Sequence, residues 1–266
     1  MEIFPIRQPE HRAKWIEGLR MAAYDLCVRA RGLSLQTALA AREAIFLLER
    51  AIALDPEYAE AHRWLALNLW LGWEFWDRPM DANRALALAE AQRAVALDPN
   101  DAGNRWVLGI ILGHECRWTE SEAEFEATFK LDPNHADAWA IRADLAALGG
   151  RPKDAIQHVN KALRLNPHPP GWYYWMLGQA QYVLRDYESA ARTLRTPATY
   201  RTTSRRTLAA SLAQLGRLED ARQEAELFMM SNPNFTIRHW AASQPFRDEE
   251  ARRHFVEGYR KAGLPE

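Results

Sequence analysis

Apolar residues recur along most of this chain with helical rather than strand spacing, and prolines cut the pattern at regular intervals. Ala51-Ile52-Ala53-Leu54, Ala94-Val95-Ala96-Leu97 and Ala162-Leu163-Arg164-Leu165 each close a helical run just ahead of a proline. Five tetrapeptides carry this corner: Leu54-Asp55-Pro56-Glu57, Leu97-Asp98-Pro99-Asn100, Leu131-Asp132-Pro133-Asn134, Leu165-Asn166-Pro167-His168 and Ser231-Asn232-Pro233-Asn234. Their prolines lie 43, 34, 34 and 66 residues apart. The last interval is two periods with Pro197 near its middle. The first is one period plus an excess placed at Gly72 to Asp81.

A proline cannot continue the helix before it but fits the first turn of the next, so each one marks a corner between two helices. The opposite corner reads Gly149-Gly150-Arg151-Pro152, Leu184-Arg185-Asp186-Tyr187 or Leu215-Gly216-Arg217-Leu218, turn residues between periodic segments. Small residues recur where paired helices must touch. They are Ala66, Gly109, Ala143, Gly178 and Ala209 in the first helices, and Ala44, Ala87, Ala155, Ala190 and Ala221 in the second, with Ser121 in the weak copy. A missing side chain lets two backbones approach closely. Two helices in 34 residues bury too little to stand alone, so stacking is obligatory. The pattern predicts an all-α fold, a right-handed α-solenoid of about six helix hairpins over residues 22–233. A helical N-terminal segment at 1–21 precedes it, and a capping segment and helix at 234–266 follow. In that last segment Asp248 is the predicted N-cap. Ala251, Phe255, Tyr259 and Ala262 form one apolar stripe with Arg252, Arg253, Glu257 and Lys261 facing away, and Gly263 and Pro265 stop the helix.

The spacing, the leucine–small-residue pairs, the small residue opening each second helix and the closing Asp-Pro resemble the tetratricopeptide repeat. The resemblance covers residues 22–233 as six copies and is clearest from Asp101 to Thr196. A finer resemblance lies at the ends. Ala23-Tyr24-Asp25-Leu26-Cys27-Val28-Arg29-Ala30, Pro245-Phe246-Arg247-Asp248 and Gly258-Tyr259-Arg260-Lys261-Ala262-Gly263-Leu264-Pro265-Glu266 are similar to the C-terminal repeat region of bacterial regulators. In those proteins the region follows a class III adenylate/guanylate cyclase domain or a winged-helix transcription-activator domain. Residue 27 is Cys where that family has an aromatic residue, and neither domain precedes the repeats in this chain. The resemblance implies a non-catalytic region, either a stand-alone repeat protein or a piece of a longer one.

Composition narrows the function classes. Thirty-four basic and 35 acidic side chains leave a net charge of −1, which argues against an electrostatic nucleic-acid binder. Leu65 to Leu71 is broken by Gly72, Glu74 and Asp77, so no membrane span is expected. Glu2, Arg7 and Glu10 interrupt the N-terminus where a signal peptide needs an apolar stretch. Cys27 and Cys116 form no metal or disulfide motif. A cytoplasmic protein follows as the expectation. Nucleotide-binding, zinc-protease and serine-hydrolase motifs are missing, and no run of alternating residues could build a cyclase domain. His114-Glu115-Cys116 is a dense polar trio, but neighbours on a helix point apart. The expectation is therefore a non-enzyme without cofactor or metal.

What remains is surface. First helices line the inner face of such arrays, and outward positions recur four residues apart. Registered on the small residues, the candidate partner-binding groove comprises Arg63, Leu67, Trp70, Trp106, Ile110, Asp137, Asp144, Trp172, Trp175, Gln179, Tyr182 and Arg206. Either its rings pack between repeats as core, or they anchor an extended or helical peptide with Arg63 and Arg206 as carboxylate partners. These places lack the lysines and asparagines of repeat modules that clamp chaperone tails. Trp64, Trp70, Trp73, Phe75 and Trp76 crowd the insertion. They pack on a longer second helix, or Trp73 and Trp76 form an apolar patch for self-association. The expected function is protein–protein interaction or scaffolding in bacterial signalling or transcription. The alternative is the regulatory part of a nucleotide cyclase, tested by whether coding sequence extends upstream of Met1 into an α/β domain.

Overall fold

The computed structural model describes residues 9–34, 36–75, 80–199 and 202–266. Among them there are α-helices joined by short turns, and no strand. The chain divides into two compact units between Ile111 and Leu112. The first contains α1 (Pro9–Leu33), α2 (Ala38–Leu54), α3 (Ala59–Phe75), α4 (Met80–Leu97) and most of α5 (Ala102–His114). The second holds α6 (Trp118–Leu131), α7 (Ala136–Leu148), α8 (Pro152–Leu165), α9 (Gly171–Val183), α10 (Tyr187–Arg195), α11 (Arg205–Gln214), α12 (Leu218–Ser231), α13 (Ile237–Ser243) and α14 (Glu249–Lys261). Helix α1 runs unbroken through residues 21 and 22, where the sequence expectation placed a segment boundary.

Both predicted corners exist, and their hydrogen bonds explain them. At the Asp-Pro corner the backbone N–H groups of Asp55, Asp98, Asp132 and Asn166 close the preceding helix onto the carbonyls of Ala51, Ala94, Thr128 and Ala162. Their side-chain Oδ1 atoms then accept from the N–H two residues on, at Glu57, Asn100, Asn134 and His168, over 2.9–3.2 Å. Each carboxylate or amide so bridges the proline that cannot donate. At the opposite corner the chain turns left-handed at Cys116, Gly150, Arg185 and Gly216, with φ of 57°, 74°, 67° and 76°. The N–H of each bonds three residues back, and the next N–H bonds five back, to Leu112, Ala146, Gln181 and Leu212. This is the Schellman closure, which satisfies the orphan carbonyls of a helix end. His114-Glu115-Cys116 is one such corner, with His114 buried at the end of α5 and Cys116 exposed at the turn.

The small residues mark the hairpin crossings. Ala44, Ala66 and Ala87 in the first unit and Ala143, Ala155, Ala190, Ala209 and Ala221 in the second are all inaccessible to solvent. A Cβ on Gly178 of α9 would stand 2.5 Å from Leu194 of α10, and one on Gly113 2.7 Å from Leu145. In the second unit α7 pairs with α8, α9 with α10 and α11 with α12, while α7, α9 and α11 lie side by side as one layer. The fold is an α-solenoid of helix hairpins.

Helix α14 forms where the stripe predicts it. Asp248 caps it, accepting from the N–H groups of Glu250 and Ala251 at 3.1 and 3.3 Å, and Ala251, Phe255, Tyr259 and Ala262 are buried. Its place differs from a terminal cap over the last hairpin. The stripe turns back onto the layer of first helices, against α11 and also α7 and α9.

Candidate docking site

The expected groove residues separate by unit. In the first unit Arg63, Leu67 and Trp70 stand on α3, Trp106 and Ile110 on α5. Leu67 and Trp70 are buried and Ile110 is wholly enclosed, so these three belong to packing in this state. Arg63 is half-buried, and its guanidinium donates to both oxygens of Asp101 at 3.0 and 2.9 Å and to Glu60 at 3.1 Å. Arg63 thus spends its fork inside the protein, and a partner carboxylate would have to compete with two carboxylates already bound. Trp106 keeps part of its surface exposed.

In the second unit the residues come together, and what covers them is the chain's own C-terminal segment. Tyr182 is wholly buried, packed against the rings of His254 and Phe255 at centroid distances of 4.5 and 4.9 Å. Its hydroxyl donates to the His254 carbonyl at 3.0 Å, and the His254 Nε2–H reaches the Tyr182 carbonyl at 3.3 Å. That imidazole is held below its ordinary pKa by burial first, and by the Arg185 charge next. Arg206 is 5% exposed. Its guanidinium lies between two indoles, 5.5 Å from the centre of Trp175 on α9 and 5.4 Å from that of Trp240 on α13. Trp240 continues into Phe246, Phe255 and Tyr259, an aromatic cluster built entirely from the last thirty residues. Sequence reasoning missed Trp240 as the partner of Arg206. Cation–π pairs across 34 residues leave no local signature.

Asp144 and Gln179 face each other on α7 and α9, the Gln179 Nε2 donating to the Asp144 carboxylate. Burial pushes the Asp144 carboxyl up to about 6, against the opposing pull of the Arg206 charge and the Gln179 bond. Asp137 accepts from the Tyr173 hydroxyl at 2.5 Å, tying α7 to α9. Trp172 is half-buried, edge-on to Tyr173 and packed against the buried cluster that Tyr173 forms with Ala140 and Ala162. Trp106, Asp137, Asp144 and Trp172 therefore retain exposed surface, whereas Trp175, Gln179, Tyr182 and Arg206 are covered.

The self-association patch is different. Trp76 and the Trp73 side chain lie outside the described residues. Among the described residues no three or more His, Cys, Asp or Glu side chains gather so as to hold a metal ion. No described helix is long and apolar enough to cross a membrane.

Comparison with known proteins agrees with this geometry. Residues 117–170 match the tetratricopeptide repeat family, a stretch that contains α6–α8. A solved structure of Pseudomonas aeruginosa pilF is 18% identical, covers 82% of this chain and 95% of that one, and superposes with a TM-score of 0.55. A chain of the APC/C hetero-tetramer Cut9-Hcn1 is 15% identical over 93% of this chain, with a TM-score of 0.61. The match spans about half of that chain, 47%. None of the curated proteins matches the sequence. At such identities the likeness establishes the solenoid fold.

Proposed function

We propose that this protein is a non-catalytic interaction module that docks a partner peptide or domain on the inner face of its first helices. One observation carries the reading: the layer formed by α7, α9 and α11 already receives an amphipathic helix, α14 of the same chain. A surface that buries an aromatic stripe in cis has the shape and apolarity that helix-in-groove recognition requires. On this layer Asp137 and Trp172 keep half-exposed groups for a partner's side chains and Asp144 lies beside them with its carboxyl taken by Gln179, while Trp106 and, more weakly, Arg63 are the candidates of the first unit. Two unpaired thiols, Cys27 and Cys116, fit a reducing, cytoplasmic setting. The context proposed is bacterial signalling or transcription, on the similarity of the chain ends to cyclase and winged-helix regulators. A regulatory region of a cyclase is the second reading on the same similarity.

The test is a double variant, Trp106→Ala with Trp172→Ala, assayed against a captured partner. Affinity is expected to fall at least tenfold while the thermal midpoint moves by only a few degrees, and equal affinity contradicts the docking surface. Self-association through Trp73 and Trp76 is proposed on the sequence alone. Trp73→Ala with Trp76→Ala is expected to weaken association and leave helix content intact, and unchanged sedimentation contradicts it.

A further inference from the structure

The C-terminal segment and the first-helix layer of the second unit share one buried seam. Apolar contact dominates it: Phe255 and Tyr259 are fully enclosed, and Gly258 sits where α14 crosses α9 and α11. A Cβ at residue 258 would overlap the Tyr182 hydroxyl and stand 3.1 Å from Ala210, so only glycine allows this approach. Its polar ties include, besides the Tyr182–His254 pair, the Tyr187 hydroxyl and His254 Nε2 at 3.4 Å, Arg247 N–H to the Leu148 carbonyl at 3.3 Å, the exposed Arg185–Glu250 ion pair at 2.9 Å and Lys261 to Gln214 at 2.9 Å. Solvent-exposed pairs of that kind contribute little.

The same seam buries two donors without acceptors, Arg206 Nε and Trp240 Nε1. A buried donor without a partner lowers the stability of the state that buries it. Trp240 of α13 packs on Phe255 and Tyr259 of α14, so departure of α14 opens one side of this buried pair to water, and the closed state is held by aromatic burial and opposed by desolvation. The connection at Gln244–Asp248 lies between α13 and α14 and is not helical, which lets α14 depart while staying tethered.

We propose that α14 is an internal competitor for the docking surface, displaced by a partner's amphipathic helix carrying aromatic residues at i and i+4 and glycine at i+3, the pattern of Phe255, Gly258 and Tyr259. The incoming helix takes the Tyr182–Ala210 crossing and leaves α14 free on its tether. This rests on the docking reading above and adds its regulation: the chain occupies its own surface until a better helix arrives.

The test uses the full chain and a fluorescent peptide of residues 245–266 as the probe. Gly258→Ala is expected to lift α14 from the layer, so the variant binds the wild-type peptide at least tenfold more tightly than the wild-type protein does. In the wild type, hydrogen exchange within α14 is expected to proceed through openings at least a hundredfold more frequent than those of α9 and α11. Equal peptide affinity, or exchange of α14 only together with α9 and α11, overturns the proposal. Should Gly258→Ala fail to fold, the wild-type exchange pattern decides alone. The probe is the chain's own helix, so this result stands apart from partner capture through Trp106 and Trp172, and the two readings fail separately.

Discussion

Asp144 shows how a single side chain couples the inner layer to pH. Unfolded, its carboxyl titrates near the ordinary value of about 4. In the fold, burial lifts it to about 6. Between those values the folded state binds more protons than the unfolded one, so this group's contribution to stability falls as pH rises. The cost reaches on the order of 2 kcal/mol by pH 7. Asn at this position still accepts from Gln179 and carries no charge. Asp144→Asn is therefore expected to match the wild type near pH 4 and exceed its stability at pH 7 in parallel urea titrations. Cys116 supplies an opposite kind of residue-scale cost, a non-glycine side chain at a left-handed turn. Cys116→Gly removes a strain of about 1–2 kcal/mol and adds about 0.5–1 kcal/mol of backbone entropy loss, a net gain of about 0.5–1 kcal/mol in chemical denaturation. Position 144 was legible in the sequence as part of the inner face. Its desolvation was not, because that depends on Arg206 and Gln179 arriving from two other helices.

Elements were the most legible scale, since local chemistry decides them. Asp-Pro corners, turn residues and small residues at fixed offsets each have a short-range physical cause, and the structure uses all three. Gly178 is the sharpest case. Its α-carbon faces Leu194 so closely that Gly178→Ala is expected to cost about 1–3 kcal/mol through overpacking, despite alanine's better helix propensity, as read by the denaturation midpoint. A stabilised variant would show that α9 and α10 do not cross at this point. Helix α13 escaped the sequence reading: at seven residues it offers too few apolar positions to register a period. The continuity of α1 was hidden for a related reason, since after Pro9 the helix holds no further proline and no turn residue pair to betray where a hairpin begins.

For the whole molecule, periodicity identified an apolar face on the last helix and an inner face on the first helices, but not that the two meet. A stripe such as Ala251, Phe255, Tyr259 and Ala262 fixes which side is buried, and the burying surface is set by tertiary packing alone. That is why Tyr182 and Arg206, placed in an open groove by register, lie under the chain's own segment. The central claim is that partners dock on the first-helix face. Site-specific photo-cross-linking tests it most directly, with a benzophenone side chain placed at Trp106 or Trp172 and, for comparison, at Met230 of α12, which is 80% exposed. Adducts with a partner from positions 106 and 172, and none from 230, are the outcome this account predicts. Adducts from 230 alone, or equally from all three, would contradict it.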